Sequence, residues 1–205
     1  MFHSLIKEIW ASTPGLQNLL LSGVDGIVVS RYHENETDDF LAAEAANLPA
    51  DCPPDMPALK ALNWARASFC ESLRLYPPLP MLVRTALSGD VFNRSRVSRG
   101  DLAVVSLWHL HRHRKYWDAP DDFVPARWLG DGPRCPQAFM PFSAGARRCP
   151  SAALAIAEGV FFLSRICALF ELSRIDGKEA VPAARLTTRS ANGIRLQIRR
   201  RTPKT

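Results

Sequence analysis

The sequence predicts a mainly α-helical protein with small β-sheets, an α+β chain. Three features of the pattern predict this class. Apolar residues recur at helical spacing over residues 57–76 and again over residues 150–170. Short alternating segments at 81–106 and near the C-terminus are typical of strands, and a stretch rich in proline and glycine separates the two kinds of element. We therefore expect helices that carry the core and small sheets at the edges.

The composition favours one globular domain of ordinary size. Of the 205 residues, 47% are apolar and 22% are charged, which excludes a disordered chain. No uninterrupted apolar stretch reaches the roughly 18 residues that a membrane span needs. The N-terminus carries Glu8 where a signal peptide has its apolar centre. These features predict a cytoplasmic protein without a membrane span.

The N-terminal third predicts two helices joined by connecting segments. Residues 16–30 are mostly apolar and form the first helix. Gly23 and Gly26 in this helix indicate that another group approaches it closely. Residues 57–76 form the second helix, because Pro57 suits a helix start and Pro77 ends it. The core-facing stripe of this second helix consists of Leu59, Leu62, Ala65, Phe69 and Leu73.

The remainder predicts strands, a meander, a long helix and a hairpin. The β-rich segment covers residues 81–117, with strands at 81–86 and 102–107 and a turn near Gly89 and Asp90. Residues 118–149 form the irregular meander, and such a long irregular segment tends to be functional. The helix covers residues 150–170. A β-hairpin with its turn at 191–193, followed by a basic tail, occupies residues 176–205.

Charge and cysteine usage exclude several function classes. The net charge is +6, but the basic cluster at 199–204 has no interleaved aromatic residues. We interpret it as a solvated chain end, with an acidic protein as the alternative partner and no nucleic acid. The five cysteines include no CxxC pair, so a disulfide framework and a tetrahedral zinc site are both unsupported.

Charged residues in three segments are candidate site residues. Glu71 and Arg74 stand three apart on one helix, where side chains meet, either as an exposed pair or as a buried network. Arg127 follows a proline in an aromatic turn and would supply the second cation of such a network. Arg84 is either solvated or part of the site, whereas for His111 a solvated charge is the favoured interpretation.

The run from Phe142 to Pro150 carries the strongest chemical signal. Gly145 permits a tight loop, and Cys149 stands directly before Pro150 and a long apolar helix. Backbone N–H groups and the helix dipole at that end favour a thiolate, which can ligate heme iron. Arg147 would pair with a heme propionate. A structural cysteine is the alternative.

Taken together, these motifs resemble the cytochromes P-450, the heme-thiolate monooxygenases. That family has a Glu-x-x-Arg helix, a Pro-x-Arg-aromatic turn and a Phe-x-x-Gly-x-Arg-x-Cys loop in this order. The resemblance implies the C-terminal, heme-binding half of that fold, so residues 1–205 form a single partial domain with heme b as cofactor. It makes Cys149 the axial ligand, and it implies a structural triad and a cofactor-binding set: Glu71, Arg74 and Arg127, and Arg147, Arg84, Phe142 and Gly145.

Two positions depart from the pattern of the family. Residues 22–27 align with the oxygen-activating helix, where Asp25 keeps the catalytic acid. Ile27 replaces the alcohol that relays a proton. Ser151 stands where the family usually has glycine. The N-terminal half of the fold is missing, which leaves three interpretations open: a truncated product, one part of an assembly, or a remnant.

The expected function follows from the resemblance. The chain would insert one oxygen atom from O2 into a small apolar organic substrate. An external ferredoxin or flavodoxin would donate electrons at a basic surface around Arg112, Arg147 and Arg148. One alternative is an inactive or merely heme-binding remnant. Another is a peroxide-dependent or isomerising enzyme, which Ile27 would permit. The sequence does not identify the substrate.

Overall fold

The computed structural model describes residues 37–46, 48, 54–175, 180–184 and 186–201. The predicted oxygen-activating helix at 16–30, with Asp25 and Ile27, lies outside the described residues. The same holds for residues 202–205 of the basic tail.

Helices and short 3-10 turns hold more residues of the described chain than strands do. Helix α1 spans Thr37–Ala46, α2 Met56–Ala61, α3 Asn63–Leu75, α4 Leu107–Leu110 and α5 Ala152–Leu169. Single 3-10 turns at Pro125–Trp128, Pro136–Ala138 and Gly145–Arg147 interrupt the irregular segment before α5. The mainly helical class is confirmed, and so is the long helix that follows Pro150.

Eight strands form four two-stranded antiparallel sheets in the described residues. Strand β1 (Met81–Thr85) pairs with β4 (Leu102–Ser106), and between them β2 (Asp90–Phe92) pairs with β3 (Ser95–Val97). Strand β5 (Phe170–Arg174) pairs with β8 (Leu196–Arg200), and β6 (Pro182–Ala184) with β7 (Thr188–Ser190). The small sheets of the predicted α+β class are therefore present.

The helix predicted over residues 57–76 is two helices. Leu62, with φ −79° and ψ 76°, leaves the helical conformation and separates α2 from α3. The break lets the carboxylate of Glu44 on α1 accept hydrogen bonds from the backbone of Trp64 at 2.8 Å and of Ala65 at 3.1 Å. An N-terminal helix end leaves N–H groups without partners, and Glu44 satisfies two of them. The prediction of one helix missed this long-range cap.

One prediction for the β-rich segment is wrong. Asp90 begins a strand, and the reversal lies at Asn93 and Arg94, whose φ values of 47° and 68° suit a two-residue hairpin turn. The strands predicted at 81–86 and 102–107 are present as β1 and β4, and the β structure of this segment ends at Ser106. The Ser106 hydroxyl caps α4 by accepting from the backbone of His109, and turns follow that helix.

The C-terminal strands do not form the predicted hairpin. The turn at 191–193 joins β7 to β8, but these strands belong to different sheets. Helix α5 ends at Leu169, and the extended backbone of Phe170 begins β5. β8 pairs with this strand. The pairing partner of a strand depends on which strand edge the tertiary structure places beside it. The sequence around the turn at 191–193 therefore did not reveal that β8 pairs with β5.

The core lies where α3 and α5 cross. Phe69 and Leu73 of α3 pack in one buried cluster with Val160 and Leu163 of α5. α5 is long and apolar enough to cross a membrane by length and composition, contrary to the predicted absence of such a segment. A third of this helix is buried in the described structure, where Val160 and Leu163 pack in one cluster with residues of α3.

Gly159 is expected to be essential for this crossing. A Cβ at position 159 would lie inside van der Waals contact with the ring of Phe69. Gly159→Ala should therefore lower the free energy of unfolding by about 1–3 kcal/mol, although alanine is the better helix former. Urea unfolding checks this against Gly89→Ala, whose Cβ makes an ordinary contact 3.6 Å from a carbonyl oxygen. Equal stability of the two variants would contradict the close-packing argument.

Candidate functional site

The carboxylate of Glu71 is the centre of a buried hydrogen-bond network. Arg74, one turn along α3, donates to both oxygens of the carboxylate, at 2.9 and 2.8 Å. Arg127 Nε donates at 3.1 Å, Trp128 Nε1 at 2.8 Å and the backbone N–H of Val124 at 2.9 Å. The Glu71 and Arg74 side chains are 0% exposed. Of the two interpretations left open by the sequence, the structure has the buried network.

Arg74 extends the network to His111 and into the start of the meander. Its guanidinium donates to the carbonyl oxygens of His111 at 2.8 Å, Pro120 at 2.6 Å and Asp122 at 2.8 Å. It also lies 5.2 Å from the centre of the Trp117 ring. Its five hydrogen bonds satisfy Nε, Nη1 and Nη2, and the contact with the Trp117 ring adds to them, which offsets the cost of burying this cation.

The loop before α5 is closed by its own backbone. The N–H of Cys149 donates to the carbonyl of Phe142 at 2.9 Å, so both ends of the loop meet. Ser143 and Gly145 have φ values of 63° and 69°, and only glycine adopts such a conformation without cost. Cys149 is a partly buried free cysteine two residues before Ser151, which occupies the N-cap position of α5 without a capping hydrogen bond from its side chain.

Arg147 lies in this loop, and Arg84 contacts the loop from β1. Arg84 on β1 donates to the Ser143 hydroxyl at 3.0 Å and to the carbonyl of Val83 at 2.9 Å. Arg147 is exposed in the 3-10 turn two residues before Cys149. The structure thus places a thiol and two guanidinium groups on or against one loop.

This donor set fits a heme. A cysteine thiolate is a ligand of heme iron, and guanidinium groups pair with carboxylates such as the two heme propionates. Phe142, partly buried against the core, adds an apolar ring at the loop's first position. The roles of Cys149, Arg147, Arg84, Phe142 and Gly145 towards heme stay predictions.

His111 is the residue that the sequence interpretation got wrong. It is 0% exposed rather than solvated, and burial lowers the pKa of its imidazole to about 4. Its helical spacing from Leu107, four residues earlier and also fully buried, was the signal available in the sequence.

Arg112 does not contribute an open surface charge. Its guanidinium lies 3.8 Å from the centre of the Trp108 ring and 3.3 Å from the Asp121 carboxylate, and the side chain is 15% exposed. Of the three arginines expected in a basic surface, Arg147 and Arg148 are exposed.

Comparisons with known proteins agree with this geometry. A family model described as cytochrome P450 matches residues 33–195. Cytochrome P450 4A10 of Mus musculus is 36% identical over 131 residues, which cover 63% of this chain and 26% of that protein. The putative cytochrome P450 132 of Mycobacterium tuberculosis (strain ATCC 25618 / H37Rv) is 31% identical, over 72% of this chain and 32% of that protein.

A solved structure matches most of the chain. The cytochrome P450DA heme domain superposes with a TM-score of 0.76 at 25% identity, covering 88% of this chain and 42% of that domain. The chain therefore spans about a quarter to a third of the curated relatives it matches, and less than half of the solved domain.

Proposed function

The chain belongs to the cytochrome P450 family, and from that premise we propose that it is the heme-binding part of a heme-thiolate monooxygenase. The single observation that carries the proposal is the closed loop that ends at Cys149, with Arg84 held against it through Ser143. Members of the family bind heme b, and the donor set of this loop suits that group.

In this proposal each residue of the site has a separate task. Cys149 supplies the thiolate that ligates iron, and Arg147 and Arg84 hold the propionates. A bound heme would supply the chemistry of oxygen insertion, in which one atom of O2 enters an organic substrate and the other leaves as water with two external electrons and two protons. Glu71, Arg74 and Arg127 touch no reacting atom. They hold α3 against the backbone of residues 119–124, and they therefore position the segment that leads to the loop.

The electron donor and the substrate are finer parts of the proposal. Members of this family generally receive electrons from a redox partner. For this chain we propose an external ferredoxin or flavodoxin as that partner. The exposed guanidinium groups of Arg147 and Arg148 support it, because these donors are acidic and charge complementarity favours docking. The substrate in this proposal is a small apolar organic molecule, and the location is the cytoplasm.

A second candidate function is heme binding without oxygen chemistry. The observation that favours it is that the loop ending at Cys149 and the contact of Arg84 with it, which heme binding needs, both lie in the described residues. Peroxide-dependent or isomerising chemistry is a further alternative, which rests on Ile27, outside the described residues.

Cys149→Ser is expected to abolish thiolate ligation. The purified chain, loaded with hemin, reduced and exposed to carbon monoxide, should show the strongly red-shifted Soret band of thiolate-ligated ferrous heme. The variant should show the unshifted band alone. Cys135→Ser is the matched control, because Cys135 is also a partly buried free cysteine in the irregular segment.

The outcome separates the candidate functions. Absence of the red-shifted band in the wild-type chain, or its persistence in Cys149→Ser, would contradict the proposed ligand. A red-shifted band with turnover from NADPH through a ferredoxin and its reductase supports the monooxygenase. The same band with turnover from peroxide alone favours the peroxide-dependent alternative, and a band without turnover favours the heme-binding one.

A further inference from the structure

Both ring nitrogens of His111 have backbone partners, and together these partners determine its protonation. Nδ1 lies 3.2 Å from the carbonyl oxygen of Arg74. A carbonyl oxygen only accepts, so Nδ1 carries a hydrogen. Nε2 lies 3.0 Å from the backbone nitrogen of Met140, whose N–H donates, so Nε2 presents its lone pair. Only the neutral Nδ1–H tautomer satisfies both contacts.

The two contacts connect the buried ion-pair helix to the cysteine loop. On one side, His111 and Arg74 are bonded in both directions, because Arg74 Nη1 donates to the His111 carbonyl at 2.8 Å. On the other side, Met140 leads into the loop, and its carbonyl accepts from the N–H of Ser143 at 3.0 Å. The loop then closes at Cys149. A continuous path of hydrogen bonds therefore runs from Arg74 through His111 to the loop.

We propose that His111 is a positioning residue for the thiolate loop, holding its start through the Met140 N–H while it is itself held by Arg74. This inference rests on the proposed heme-thiolate function. It assigns a task that neither the charge triad nor the loop residues perform, because the hydrogen bonds of the triad end at residues 111–128, before the loop. His111 carries the connection from there to the loop.

The burial of His111 supports a polar rather than a merely space-filling task. The ring lies 5.5 Å from the ring of Phe139, centre to centre, so an aliphatic side chain would fill much of the same volume. Such a residue would leave the Met140 N–H and the Arg74 carbonyl without their partners in the interior, which is costly. Burial also disfavours the charged imidazolium, so the lone pair on Nε2 stays available.

The first test uses the wild-type chain and needs no heme. Nitrogen-15 NMR of the histidine-labelled protein at neutral pH should show His111 as the neutral Nδ1–H tautomer. The Met140 amide should exchange with solvent slowly. An Nε2–H tautomer, a charged ring, or rapid exchange at Met140 would overturn the proposal.

The second test compares two substitutions in the hemin-loaded chain. His111→Gln keeps a side-chain oxygen that can accept from the Met140 N–H, whereas His111→Leu cannot accept at all. Among folded molecules, the ratio of red-shifted to unshifted carbon monoxide bands should fall severalfold in His111→Leu. It should be largely retained in His111→Gln. Equal ratios in wild type and His111→Leu would overturn the proposal.

Two controls separate positioning from stability and from the proposed function. Gly159→Ala, destabilised at the crossing of α3 and α5, should keep the wild-type ratio of bands among folded molecules. If it lowers the ratio as His111→Leu does, the effect is one of stability and the proposal fails. If wild type shows no red-shifted band, the heme-thiolate function fails instead, and the tautomer and Met140 exchange still decide the role of His111.

Discussion

Glu71→Gln is expected to lower the free energy of unfolding by about 3–5 kcal/mol, because it removes one partner of a buried ion pair. The amide keeps the shape of the side chain, but one of its ends donates instead of accepting. The guanidinium of Arg74 would then stay in the interior without its counter-charge. The N–H groups of Val124 and Trp128 would compete for a single remaining oxygen. The loss should therefore exceed that of an ordinary hydrogen bond.

Urea unfolding at neutral pH measures this loss. Glu158→Gln is the matched control, since Glu158 is exposed on α5 and its substitution should change the stability by less than about 0.5 kcal/mol. A double substitution of Glu71 and Arg74 by uncharged residues should cost less than the sum of the single changes, because the two charges depend on each other. A loss below about 1 kcal/mol in Glu71→Gln would contradict the assigned network.

The second large effect is a loss of stability in acid. The pKa of His111 is lowered from 6.5 to about 4, first by burial and then by the positive charges of Arg74 and Arg112. Between these two values the unfolded chain binds a proton that the folded chain does not, so unfolding is favoured as the pH falls. Each pKa unit corresponds to 1.36 kcal/mol, and the full difference amounts to about 3 kcal/mol. Above pH 6.5 this contribution vanishes.

The measurement is the free energy of unfolding against pH, from pH 7 to pH 4. Carboxylates titrate in the same range, so the informative quantity is the difference between the wild-type curve and that of His111→Gln. The wild type should lose about 3 kcal/mol more than the variant over this interval. Parallel curves would show that His111 is not a buried neutral base in the folded protein.

Several features of the site could be predicted from the sequence because they are local. Glu71 and Arg74 stand three residues apart, which places them together on any helix. Gly145 marks a position with positive φ, and it has φ 69° in the structure. The long helix after Pro150 follows from a mostly apolar sequence with helical spacing, and α5 covers Ala152–Leu169. Spacing and residue type are sufficient for such features.

Other features depend on residues far apart in the chain. No local pattern shows that Glu44 caps α3, that β8 pairs with β5, or that the imidazole of His111 reaches the backbone of Met140. The error at His111 has the same origin. The neighbours of His111 in the sequence, Leu110 and Arg112, favour a solvated histidine. Burial by residues distant in the chain makes its imidazole neutral.

The sequence by itself determined the family, the helical class and the order of the charge pair, the proline turn and the cysteine loop, because periodicity, turn residues and motif spacing are properties of adjacent positions. Only the tertiary structure decided that Glu71 accepts from Arg127 and Trp128, that Arg84 donates to Ser143, and that the His111 ring contacts the backbone of both Arg74 and Met140. These contacts depend on which surfaces the folded chain removes from water. Burial and hydrogen-bond partners follow from the packing of distant segments, which no short window of sequence contains.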